Sequence, residues 1–137
     1  MSDISITPAS VIPSANAIIK SGIAGATITQ GQTVYIDSSA NYVLKLADAD
    51  ASALSAVVAG IASSAGAAGQ RINYIESDPA LTFGGTVLSG DPIYQSDVAG
   101  GLTKTFADLE TGDIVTVLGV ATSTTTMNFK PVQGGTI

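Results

Sequence analysis

The sequence predicts a mainly β fold: a compact all-β domain, a small barrel in outline, built from two related β-units, with at most one short helix and an extended N-terminal arm. Three observations predict it. First, the stretch Gly25 to Asp37 returns as Gly84 to Ser96 at a shift of 59 (Tyr94 minus Tyr35). Setting Gly25–Arg71 on Gly84–Lys130 gives 10 identities in 47 pairs, among them Gly31/Gly90, Tyr35/Tyr94 and Gly60/Gly119. Self-similarity at a fixed period is the mark of a duplicated unit. Second, short alternating apolar runs are separated by Gly, Asp and Ser clusters, the pattern of strands and tight turns. Third, hydrophobic residues make up 45% but aromatics only 5%. A core of Ala, Val and Ile suits thin β layers, because β-branched side chains pack well on a pleated surface.

The arm is residues 1–22 and the β-domain residues 23–137, with repeat-like units at about 25–76 and 84–132. In the arm, Pro8 and Pro13 stop any helix or central strand. Ile4, Ile6, Val11 and Ile12, with Ile18 and Ile19 further on, make it too apolar to float free without cost. It lies on its own domain or on a neighbouring subunit, or else frays as termini do. In the first unit, Ala26–Thr29 and Thr33–Asp37 flank the turn Gln30-Gly31, and Asp37–Asn41 is a turn by composition. Tyr42–Leu46 returns as a strand. Asp48 offers an N-cap, which predicts a short helical turn near Asp48–Leu54. Leu54, Val57, Val58 and Ile61 keep helical spacing, yet the repeat sets this stretch on Ile114–Ala121, which is β-branched. The repeat predicts a strand from about Ala56 to Ser63. Gly60 and Gly119, inside strands, predict bulges or a close backbone approach. Ala65–Gly69 is a turn, Arg71–Glu76 a strand and Ser77–Ala80 a link. The second unit follows with strands at about Leu81–Leu88, Pro92–Gln95, Leu102–Phe106, Asp113–Thr122 and Thr126–Pro131. Gly100-Gly101 is a hairpin turn, and the tail from Gln133 is expected to be mobile.

The charge balance excludes several classes. Net charge is −6 with only five basic residues and no basic cluster, so no nucleic-acid partner is expected. Only 12% of residues are charged. Either a partner covers much of the surface or a neutral Ser/Thr/Gly surface keeps the protein soluble. No apolar run nears the ~20 residues of a membrane helix, and no leader peptide is expected. His and Cys are absent, which removes thiolate chemistry, Ser–His dyads and nearly all zinc or haem sites.

The remaining chemistry is thin. Asp48-x-Asp50 has oxygen ligands for a hard cation but lacks the rest of a calcium loop, and capping explains it better. Asp108–Asp113 is weaker still and reads as a turn before a strand. The Gly-Gly pairs lack phosphate-loop spacing. Lys45 and Lys104 hold equal places in the two units, as paired contacts to an acidic partner or, the favoured reading, as solvated guards of a strand edge. Tyr35 and Tyr94 suit a core rim with a wet hydroxyl better than a sugar-binding site, which would want more exposed aromatics. No catalytic residue, metal or cofactor is expected, and an enzyme is not expected.

Several ordered stretches carry a resemblance. They are the apolar arm with Pro, then Gly22–Asp37, Leu46–Ala62, Ala67–Gln70 and Asp108–Thr122. Together they resemble the small capsid cement, or head decoration, proteins of tailed bacteriophages and prophages, from about Ile6 to Val132. Val34–Ser39 and Val58–Ala62 carry a looser likeness to the β-tulip decoration proteins. The resemblance implies a structural protein on the outer surface of the expanded capsid in the virion. It implies a homotrimer bracing neighbouring capsomers, with the major capsid protein as partner. Its arm would reach the shell through Ile4, Ile6, Val11 and Ile12, while Ile18, Ile19, Tyr35 and Tyr94 are candidates for subunit contact. The alternative is a carbohydrate- or receptor-binding β-module of a phage fibre or surface structure.

Overall fold

The computed structural model describes residues 3–50 and 52–137; Met1 and Ser2 of the arm and Ala51 of the expected helical turn lie outside them. Among the described residues there are ten strands and two single 3-10 turns, Pro8–Ser10 and Phe106–Asp108. The strands are β1 (Val11–Ile12), β2 (Ile18–Ile23), β3 (Thr33–Asp37), β4 (Val43–Leu46), β5 (Gly60–Ala62), β6 (Arg71–Phe83), β7 (Pro92–Gln95), β8 (Leu102–Thr103), β9 (Ile114–Ala121) and β10 (Thr126–Thr136). The domain is mainly β, as expected. No described helix is long and apolar enough to cross a membrane.

The sheet order reads the same from either end in terms of the two units. It runs β4-β3-β5-β6, then β10-β9-β7-β8. The matching strand pairs keep register. Val34 of β3 faces Gly60 of β5, and Ile93 of β7 faces Gly119 of β9, each partner displaced by 59. The two glycines are needed for one reason. A Cβ on Gly60 would lie 2.2 Å from the Ile75 carbonyl oxygen, and one on Gly119 would lie 2.1 Å from that of Asn128. The neighbouring backbones therefore approach closer than any side chain permits. The displacement from Ile75 to Asn128 is 53 (128 − 75), six less than 59, because the last pair of the β9–β10 hairpin, Ala121↔Met127, encloses five residues and that of the β5–β6 hairpin, Ala62↔Tyr74, encloses eleven. Six is even, so inward and outward faces survive the slip.

The arm closes both halves. Ile4 donates its N–H to the Leu102 carbonyl at 2.8 Å, Asp3 bridges Thr103 of β8, and β1 pairs with Phe83 and Thr82 of β6. The chain then turns at Ser14. β2 pairs along Ser77–Arg71 of β6, and Ala24 bridges Leu44 of β4 in parallel. The turn is fixed by Asp78, fully buried, whose carboxylate accepts the Ser14 N–H at 2.7 Å, the Ser14 hydroxyl and the Ala80 N–H at 3.0 Å. A buried carboxylate without such donors would be costly.

Several expectations are corrected. Ser77–Ala80 is no link but part of β6, which serves both halves. Pro79 is tolerated there because it falls in the bulge between Asp78↔Phe129 and Leu81↔Met127. β6 ends at Phe83 rather than Leu88, and β8 spans only Leu102–Thr103. Pro131 and Gly134-Gly135 likewise fall in bulges of β10, so Gln133–Thr136 is paired with β9. The expected helical turn after Asp48 is a succession of turns, and Asp48 caps it only locally by accepting the Asp50 N–H at 3.1 Å. The strand expected from Ala56 shrinks to Gly60–Ala62. Ala26–Thr29 forms only the bridge Ile28↔Gly66.

Two hydrophobic clusters fill the body. A smaller one, within the first half, holds Ala24, Ile28, Val34, Leu44, Ala62, Ile72 and Tyr74. A larger one is shared by both halves and includes Phe83 and Phe129. Gln95, fully buried, ties the halves together: its side chain accepts from the Thr33 hydroxyl and donates to the Ala47 carbonyl at 2.9 Å.

Candidate functional site

With no His or Cys in the chain, the acid–base groups gathered in one place are carboxylates. Loops at one end of the two units bring together groups that lie far apart in sequence. Asp50, Asp97 and Asp113 each place a carboxylate oxygen within 4.8 Å of the others. Asp113 is buried and accepts the Glu110 N–H at 2.9 Å, which is the turn expected before β9. Asp97 Oδ1 is buried with no hydrogen-bond partner among the described residues. Nearby, Asp3 accepts the Ser96 hydroxyl at 2.6 Å.

Crowded carboxylates disfavour each other's charge. Burial, then the hydrogen-bonded Asp50 carboxyl, pushes Asp48 up to about 6 from its ordinary 3.8. Burial, then the Asp113 carboxylate, pushes Asp97 up as well. The two weak cation candidates of the sequence, Asp48-x-Asp50 and Asp108–Asp113, thus meet through Asp50 and Asp113. No pattern in the sequence joins Asp97 to them, since only the packing of the loops does so. The oxygen-only set suits a hard cation.

The expected contact residues separate into two groups. Val11 is buried in the shared core, while Ile4 and Ile6 are half-buried against it and line an open crevice with Pro8 and Gly31. Tyr35 is half-buried on the same core, and half-buried Tyr94 meets the Phe106 ring edge-on at 5.7 Å. Ile12, Ile18 and Ile19 are the exposed ones, at 58%, 52% and 48%. Ile23, which sequence reading left out, joins them at 37%. Three of these four lie on β2, a strand exposed over nearly its whole length.

β2 also gathers the positive charge. Lys20 pairs with Glu76 at 3.1 Å, Arg71 donates to the Ser21 hydroxyl at 3.1 Å, and Lys130 lines a crevice of about 320 Å³ with Ile18, Val58, Glu76, Ser77 and Pro131. Lys45 and Lys104 are engaged elsewhere, with Asp37 at 2.9 Å and Asp91 at 3.8 Å. The Ser39 hydroxyl, then Lys45, holds Asp37 down at about 2. The equal places of the two lysines therefore serve intramolecular pairs with unequal partners.

Comparison with protein-family models, curated proteins and solved structures returns no match.

Proposed function

We propose that this chain is a structural decoration protein of a tailed-phage capsid, bound to the outer surface of the expanded head and bridging capsomers as a homotrimer. The observation that carries the reading is the chain-long ordered set of motifs, from about Ile6 to Val132, that resembles such cement proteins. The geometry is compatible with that role. A low-charge β body exposes isoleucines at Ile12, Ile18, Ile19 and Ile23. Each would contribute up to about 1.5–3 kcal/mol on full burial against a partner. Three copies acting together would turn weak single contacts into firm attachment. Val11 is packed in the chain's own core, so the contact with the major capsid protein would draw on Ile12, β2 and the open crevice lined by Ile4 and Ile6.

Co-sedimentation with expanded heads and with unexpanded proheads tests the reading. Saturable binding to expanded heads alone is expected. No binding to either, by folded protein, overturns it and favours the carbohydrate- or receptor-binding module, which a glycan screen would then detect.

A further inference from the structure

Strand β2 has one edge paired with β6; among the described residues no strand pairs with its other edge, and the nearest bridge, Ala24 with Leu44, lies one residue beyond its end. An open edge presents unpaired N–H and C=O groups and accepts another strand unless it is blunted. Native edges are blunted by proline, by bulges and by charge, lysine above all; Ile18-Ile19-Lys20-Ser21-Gly22-Ile23 has no proline, and its guards are one bulge between Ile18 and Ile19 and one lysine already paired with Glu76 at 3.1 Å. The edge thus stays open to β-augmentation from Ile19 to Ser21, while Gly22 lies against the Leu44 side chain of β4.

The charge around it chooses the occupant. Lys20, Arg71 and Lys130 border the strand, three of the chain's five basic residues. Of the eleven side-chain carboxylates only Glu76 lies on the stretch of β6 paired with β2, and Asp78, one residue beyond, is fully buried. A chain of net charge −6 thus keeps its positive surface at this edge. A second copy adding its own β2 antiparallel would bring Lys20 and Arg71 of both copies together, and like charges at close quarters oppose pairing. We infer that the free edge of β2 takes up an extended, acidic segment of a partner protein, apolar at alternate positions, as an added strand. Its carboxylates would meet Lys20 and Lys130 on one face, and its apolar side chains would cover Ile19 and Ile23 on the other, the face that Arg71 shares. The inference rests on the decoration reading only for where that segment comes from, a strand exposed on the expanded shell.

Hydrogen exchange of the full chain, alone and on expanded heads, tests it. The amides of Ile18–Ile23 should slow on the heads. Lys20→Glu with Lys130→Glu should weaken head binding about tenfold or more, while Lys104→Glu leaves it unchanged. Unchanged exchange at residues 18–23 on heads that are bound overturns the edge proposal and leaves the decoration reading standing. If the wild-type chain does not bind heads, the decoration reading fails, and a blocked decapeptide of alternating Val and Asp becomes the probe. Protection of residues 18–23 by that peptide, and not by its Val–Lys counterpart, supports the acidic strand; no protection overturns it. Protection that grows with protein concentration alone, with a dimer in sedimentation, overturns the acidic partner in favour of a second copy.

Discussion

The two halves of the sheet follow one plan and solve its packing differently. Ala24 and Phe83, Ile28 and Val87, Val34 and Ile93, and Ala62 and Ala121 are pairs at the same shift of 59, and every one of these side chains is buried. In the first half they enclose a small cluster of their own. In the second half the exchange of Ala24 for Phe83 helps merge the equivalent cluster into the core shared by both halves. The strands register the difference. β5 is buried at all three positions, whereas its counterpart in β9, Gly119–Ala121, turns Val120 out to solvent. A strand sandwiched between two clusters loses its period-2 pattern; one with a wet face keeps it. Duplicated topology therefore does not require duplicated packing, only a register that survives around fixed close contacts.

The largest expected effect tests those contacts. Gly60→Ala and Gly119→Ala should each cost more than about 4 kcal/mol or prevent folding, since backbone must move to admit a methyl group. Urea denaturation measures both, and tolerance at one position alone would break the equivalence of the halves. Next, Phe83→Ala should cost about 3–5 kcal/mol, against about 0.5–1.5 for Ile28→Val in the small cluster. Equal losses would mean that the two clusters are one. The arm's closure of both halves is probed by Asp78→Asn, expected to cost about 1–3 kcal/mol. Exchange of amides near Ser14 should speed up at the same time, and unchanged exchange would show that the clamp does not hold the arm.

The smallest effect concerns the loops where the halves meet. Asp48 and Asp97 are raised in the folded protein, so folding binds extra protons and stability falls as pH rises from 3.8 toward about 6. Asp37 is lowered to about 2, so its contribution is present above 3.8 and is lost as pH falls through about 2. The melting temperature should therefore rise as pH drops from 7 toward 5 and fall again below about 3. Asp97→Asn should raise it at pH 7 and flatten the upper limb; a steeper limb would show that the cluster is not strained.

Strands with clean punctuation were legible. Thr33–Asp37 and Pro92–Gln95 end where the sequence places them, each set up by a glycine turn, Gly31 at φ 94° and Gly90 at φ 92°, a conformation that side chains disfavour. β2 was hidden because Ala17-Ile18-Ile19 has neither period, and its partners on β6 lie 48 (71 − 23) to 59 (77 − 18) residues away. The carboxylate cluster was hidden for the same reason, its members being Asp50, Asp97 and Asp113.

By itself the sequence determined the class of the fold, its duplication and the absence of thiol and imidazole chemistry. Those follow from local propensity, from a fixed period and from which side chains exist. Tertiary structure alone decided that β6 runs unbroken through Pro79, that Val11 belongs to the core, and that isoleucines and positive charge collect on one open edge. Each of these depends on which distant backbone groups meet, and hydrogen bonding across such distances leaves no periodic trace in the chain.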